Sequence, residues 1–214
     1  PPSSHPGGRL PGVTEMLLLR HGQSTWNAQF RWQGQANPPL SDLGRAQAAH
    51  AGQRLGSVDA IVTSPLDRAL QTAEILAEAI DVGPVEVAPM LAERDAGPWS
   101  GLTRDEIDER WPGFLRDQKR PDGYELDPQL LDRIGSALDG LAGRFGDGQL
   151  LVVCHGGVIN AIERMLGEPW VRLANLDGRW ITIDAGLDTH RWQLGPRIQL
   201  IDDDELTETP KDMV

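Results

Sequence analysis

The sequence predicts an α/β fold: a three-layer α/β/α sandwich around a mostly parallel sheet, with a small cap made from inserted segments. Three observations carry that expectation. Short apolar runs recur along the 214 residues and alternate with segments of helical period. Several runs are continuously apolar, as strands buried on both faces are, rather than alternating. The length allows one well-buried core with a small insertion, but not two ordinary domains.

Residues 1–13 are rich in Pro and Gly, show no apolar period and read as a mobile leader. Residues 16–19 form the first buried strand. Ser41-Asp42 starts a polar-rich helix ending near Leu55-Gly56, where glycine supplies the stop. Residues 58–62 form a second strand, after which Pro65 opens a helix with Leu66, Leu70, Ala73, Ala77 and Ile80 on one face. Residues 85–87 give a short third strand. Thr103-Arg104-Asp105-Glu106 fits a capping box for a short helix to about Trp111. Asp127-Pro128 begins a longer helix with Leu131, Ile134, Leu138, Leu141, Ala142 and Phe145 on one face, closed by Gly146-Asp147-Gly148. Residues 150–154 are the cleanest buried strand, and residues 158–166 behind it are helical. Residues 180–183 and 198–201 read as late strands, antiparallel or at an edge. One domain then spans 14–202, with 96–126 as the cap segment and 203–214 as an acidic tail.

Composition excludes several function classes. Lys plus Arg is 20 against 32 for Asp plus Glu, a net charge of −12, which argues against nucleic acid and anionic membrane surfaces as partners. No apolar run approaches transmembrane length and nothing resembles a signal peptide. The single cysteine, Cys154, excludes an intrachain disulfide framework and a multi-Cys metal site, and fits a reducing, cytoplasmic setting. It reads as an inert buried thiol. Only Lys119 and Lys211 are lysines, and without a Gly-Lys pair there is no Walker A loop.

The informative residues lie at strand ends. His21 follows the first strand in Arg20-His21-Gly22, and His155 follows residues 150–154 in Cys154-His155-Gly156-Gly157. Arg68 falls in the first turn of the helix after the second strand, and Glu93 a few residues beyond the third. This places them on the edge where open α/β sheets bind ligands. Neighbouring strands are about 4.8 Å apart, so histidines on adjacent strands bracket one small group. Two arginines with imidazole donors suit the oxygens of a transferring phosphoryl group, a neutral imidazole is a competent nucleophile, and a carboxylic acid can protonate a departing alcohol. The glycines after each histidine are expected to let backbone N–H groups approach the anion.

Other chemistries fit poorly. Six residues past Cys154 stands Asn160 rather than the arginine of a cysteine phosphatase; Gly22-Gln23-Ser24-Thr25-Trp26 lacks the second glycine of a serine-hydrolase elbow; His-Glu-x-x-His is absent. Asp202-Asp203-Asp204 reads as a solvated terminus rather than a cation site.

Five segments in order resemble the histidine phosphatase superfamily, the phosphoglycerate-mutase-like proteins. They are Leu19-Arg20-His21-Gly22-Gln23-Ser24-Thr25-Trp26-Asn27; Gln33-Gly34 through Leu40-Ser41-Asp42-Leu43-Gly44-Arg45-Ala46-Gln47-Ala48; Thr63-Ser64-Pro65-Leu66-Asp67-Arg68-Ala69-Leu70-Gln71-Thr72-Ala73; Leu91-Ala92-Glu93-Arg94-Asp95-Ala96-Gly97-Pro98-Trp99-Ser100-Gly101; and Cys154-His155-Gly156-Gly157-Val158-Ile159. The resemblance implies that His21 becomes phosphohistidine and that Arg20, Arg68 and His155 hold the phosphoryl group with it. Glu93 is then general acid and later base. Asn27 lends an amide to the phosphate, with Gln33, Gly34 and Gly156 as further binding positions. It implies no metal and no organic cofactor. The substrate expected is a small-molecule phosphate ester; a homodimer is compatible with the chain, though oligomeric state is not readable from it.

The short span from Glu93 to His155 resembles the phosphatase-type arrangement more than the mutases, which carry a longer insertion there. A mutase must keep its phosphoenzyme dry, whereas a phosphatase admits water. The alternatives are a phosphoglycerate-type mutase and a non-catalytic phosphoester- or protein-binding descendant. Two departures from the family pattern, Pro121-Asp122-Gly123-Tyr124-Glu125 and Ala96, concern the substrate mouth. Trp26, Trp32, Trp99, Trp111, Phe114 and Tyr124 either line an apolar wall or pack the cap, packing being preferred for the cap residues. For Arg94, Arg104, Arg116, Lys119 and Arg120 solvated surface is the preferred reading over a second anion site.

Overall fold

The computed structural model describes residues 11–187 and 191–201, so the first ten residues of the expected leader and the acidic tail, with Asp202-Asp203-Asp204, lie outside the described residues. Among the described residues six strands form one sheet: β1 (Val13–Arg20), β2 (Ala60–Thr63), β3 (Glu86–Val87), β4 (Gln149–Cys154), β5 (Asp177–Asp184) and β6 (Trp192–Gln199). Its order is β3-β2-β4-β1-β5-β6. The β3-β2, β2-β4 and β4-β1 pairs are parallel, and β5 and β6 add antiparallel to β1 and to each other.

Alternate side chains of the central strands feed two cores. Met16, Leu18, Val62, Leu150 and Val152 face α4 (Asp127–Phe145) and α5 (Gly156–Met165), where Leu130, Ile134, Leu138, Ile159 and Ile162 meet them. Leu17, Leu19, Ile61, Leu151 and Val153 face the other way, onto Ala51 of α1 (Asp42–Gly52) and Ala69, Ala73 and Leu76 of α2 (Asp67–Ile80). A two-residue period thus produces a three-layer sandwich. A third, separate cluster packs the cap: Trp99 and Ile107 are fully buried against Trp32, Trp111, Phe114 and Tyr124. The short α3 (Arg104–Arg110) carries the expected Thr103–Glu106 capping box.

Several boundaries differ from the sequence reading. β1 begins at Val13, one residue inside the expected leader. α1 stops at Gly52, because the amides of Gln53 and Arg54 turn back to His50 and Ala51 in a tighter winding. α2 starts at Asp67 rather than Pro65, and its buried face is Arg68, Ala69, Thr72, Ala73 and Leu76. The stripe is rotated from the apolar one because Arg68 and Thr72 face the strand ends. α5 begins at Gly156, making His155 its N-cap residue. β6 spans Trp192–Gln199 instead of 198–201; Gly195 and Pro196 hide it from a propensity reading, and the register shift opposite Trp180 on this edge strand accommodates the proline.

Candidate active site

The neighbouring parallel strands β1 and β4 pair Arg20 with Cys154, so the next residue of each chain segment leaves the sheet at the same level. The His21 and His155 rings are consequently edge-to-face with centroids 5.2 Å apart, and both are buried. The His21 amide donates to the Cys154 carbonyl at 3.1 Å, tying the two strand ends together.

Each imidazole is fixed by its neighbours. His21 Nδ1 lies 2.6 Å from the Gly22 carbonyl, which accepts only from a protonated nitrogen, and Arg68 Nε donates to His21 Nε2 at 3.2 Å. The network therefore assigns the proton to Nδ1 and the lone pair to Nε2. His155 Nε2 sits 2.7 Å from Ser64 Oγ, which also accepts from the Leu66 amide. The Ser64 hydroxyl has no other acceptor among the described residues, so its hydrogen goes to Nε2 and the His155 proton resides on Nδ1. That Nδ1 is buried with no partner among the described residues. An unsatisfied buried donor is unfavourable, and an anion placed beside it supplies what is missing.

Burial, then the charges of Arg68 and Arg20, hold His21 well below its ordinary pKa of 6.5. His155 is lowered in the same way, by burial first, then by Arg68 and the His21 ring. Both rings are thus neutral in the folded protein. In an NMR pH titration of the free protein, neither imidazole should gain its second proton as pH falls through 6.5. Below 6.5 the unfolded chain binds more protons at these sites, so their contribution favours folding above that pH and weakens as pH falls toward the folded values.

Arg68 is fully buried at the start of α2. Its Nη1 donates to the Ala36 carbonyl and its Nη2 to that of Gly34, leaving one hydrogen on each for a ligand. Burial brings its pKa down to about 10, so it keeps its charge at neutral pH. Arg20 lines the same hollow, anchored through Nη1 to the Leu173 carbonyl. Glu93 accepts from the Arg94 amide on Oε1 at 2.7 Å and from the Gly157 amide on Oε2 at 3.0 Å. Its carboxylate is therefore pressed against the first turn of α5, where a Cβ on Gly157 would lie 2.4 Å from Oε1.

The remaining expected binding residues also reach the cleft. Asn27 Oδ1 accepts from the Ser24 amide and from Asn175, while its Nδ2 donors have no partner among the described residues. Gln33 is held by Ser24 Oγ at 2.6 Å, and Gly34 and Gly156 line the wall. The glycine expectation is only partly met. The Gly22 amide is taken by Thr72 Oγ1 and the Gly157 amide by Glu93, so neither is available to an anion. Gly22 instead permits close packing: its Cβ would meet the Gly44 carbonyl at 2.6 Å.

Sequence reasoning gave no role to Ser64, Thr72 or Asn175, whose Nδ2 donates to the His21 carbonyl at 2.9 Å. Ser64 and Thr72 lie in the same stretch as Arg68 and were open to notice; Asn175 lies in no motif. Arg94 is not solvated, being 9% exposed and paired with Asp127. Arg120 stacks on Trp99 and Tyr124. Trp32 and Tyr124 both pack the cap and line the cleft.

The cleft has a volume of about 580 Å³. Six arginines line it against Glu93 and Asp105, so the local charge is positive although the chain is acidic. Burial pushes the Cys154 thiol up, keeping it inert. Among the described residues no group of three or more His, Cys, Asp and Glu is arranged to hold a metal, and no helix is long and apolar enough to cross a membrane.

The arrangement matches known proteins. The family model for the histidine phosphatase superfamily (branch 1) matches residues 16–181. A metal-independent phosphoserine phosphatase of Arabidopsis thaliana is 38% identical over 160 residues, 70% of this chain and 67% of that protein. A glucosyl-3-phosphoglycerate phosphatase of Mycolicibacterium vanbaalenii is 36% identical over 192 residues, 80% of this chain and 84% of that protein. The solved structure of a mycobacterial glucosyl-3-phosphoglycerate phosphatase complexed with VO3 has a TM-score of 0.76 at 30% identity, covering 85% of this chain and 97% of that one.

Proposed function

The chain belongs to the histidine phosphatase superfamily, and from that premise we propose that it hydrolyses small-molecule phosphate monoesters through a phosphohistidine on His21. The observation that carries this reading is the His21 ring itself. Its Nδ1–H is pinned by the Gly22 carbonyl, which leaves Nε2 unprotonated at the edge of the hollow, where it accepts from Arg68 Nε and is freed for attack when that guanidinium turns to the phosphoryl oxygens.

The phosphoryl group sits between His21, Arg20, Arg68 and the unpartnered His155 Nδ1–H, with the Asn27 amide at its side. His21 Nε2 attacks phosphorus as the ester P–O bond breaks. The arginines and His155 hold the three equatorial oxygens as charge shifts onto them. Glu93, acting as general acid, passes a proton to the leaving oxygen, and the alcohol departs. The resulting carboxylate takes a proton from water, which attacks the phosphohistidine. Inorganic phosphate leaves and the neutral imidazole is restored.

The names of the relatives support a phosphatase rather than a mutase. The test is a panel of metabolite phosphates with released phosphate and isomerised product measured in parallel, with p-nitrophenyl phosphate as reference. Phosphate release without isomerisation is expected, undiminished by EDTA. Isomerised product without free phosphate would assign a mutase. No turnover by correctly folded protein would assign a binding module.

A further inference from the structure

Glu93 does not hold its place alone. The segment that carries it, from Met90 to Asp95, is tied to α4 by the Arg94–Asp127 pair and, outside the cleft, by Arg133. Its Nη1 donates to the carbonyls of Met90 and Ala92, both at 2.7 Å, and its Nη2 to the carbonyl of Glu93 at 3.0 Å. Nε and Nη2 also grip the Glu125 carboxylate at 2.7 and 2.8 Å. A guanidinium has five N–H donors, and all five are used here. Glu125 closes the loop from the other side. Its Oε2 accepts from the Asp95 amide at 3.0 Å, and its amide donates to the Asp95 carbonyl at 2.9 Å. Arg133 and Glu125 are themselves partly buried, with side-chain exposures of 16% and 13%.

We propose that Arg133, buttressed by Glu125, is a positioning residue for the proton transfer at Glu93. It is rigid, saturated and bonded to the carbonyl of the acid itself. Losing the fork takes this donor from the Met90 and Ala92 carbonyls, leaves the Glu93 carbonyl held by Gln35 Nε2, and lets the carboxylate drift from the leaving oxygen. A displacement of about 1 Å is enough to reduce a step roughly 10²-fold. Arg133 also contributes charge. After burial, Arg68, His21 and Arg20, it is among the groups that hold the His155 imidazole down. A lysine keeps that charge but replaces the planar fork by a single ammonium.

The inference rests on the phosphatase reading, and the two are separable. Wild-type hydrolysis of p-nitrophenyl phosphate tests the reading; the relative response of two esters in variants tests the inference. The measured quantity is kcat/KM for propyl phosphate and for p-nitrophenyl phosphate, which covers the steps through leaving-group departure. Arg133→Met and Arg133→Lys should each lose about 10²-fold with propyl phosphate and under about 3-fold with p-nitrophenyl phosphate. Glu125→Gln, which keeps the shape but removes the charge, should show the same selectivity at about 10-fold. If Arg133→Met fails to fold, the other two variants decide. Equal losses on both esters, or full recovery in Arg133→Lys, would overturn the proposal: the first means a purely structural brace, the second an effect of charge alone.

Discussion

Replacing His21 with alanine should remove turnover by at least ~10³-fold and with it the acid-labile phosphoenzyme. The expectation follows from geometry rather than from residue type alone. Of the two buried imidazoles, only His21 presents an unprotonated nitrogen to the hollow; the His155 ring accepts from Ser64 on Nε2 and carries its proton on Nδ1. His155 can donate to an oxygen but has no lone pair to offer phosphorus there. Brief incubation with labelled substrate, acid quench and gel autoradiography should show a band in wild type and none in His21→Ala. A band that persists in the variant would move the nucleophile elsewhere.

Glu93→Gln should divide substrates by leaving group. An alkyl oxygen cannot depart as an alkoxide without a proton, so kcat/KM for alkyl esters should fall about 10²- to 10⁴-fold. A nitrophenolate leaves with little help, so its kcat/KM should change far less. The carbonyl oxygen of the glutamine side chain can accept from only one of the Arg94 and Gly157 amides while its NH2 faces the other, so a circular-dichroism check of the fold accompanies the kinetics. Steady-state kinetics on the two ester classes provides the check; equal losses would remove Glu93 from acid catalysis.

How much of this was legible in the sequence varied with the physics of each feature. Buried parallel strands such as β4 announce themselves as unbroken apolar runs, and α3 announces its start through Thr103 and Glu106. His21 and His155 were readable because a strand end followed by glycine is a local pattern. β6 was misplaced because its proline and glycine suit a bulged edge that only the pairing with β5 reveals. Arg133 and Asn175 were invisible. Their partners are backbone carbonyls far along the chain, and no spacing rule links an arginine within a helix to the loop it will hold. Arg94 was misjudged for a related reason, since a charged residue looks solvated until its partner Asp127 is known.

The interleaved strand order has a consequence for how the protein is made. Glu15 and Gln149 are register partners 134 positions apart, with a long stretch of chain emerging between them during synthesis. A ribosome that has released β1 has provided His21 but neither the neighbouring strand nor the imidazole that stands opposite. Pairings this distant form late and slowly, because a large loop must close before any contact rewards it. The two imidazoles meet only when β1 and β4 pair, so activity regained after dilution from denaturant should appear no faster than that pairing forms.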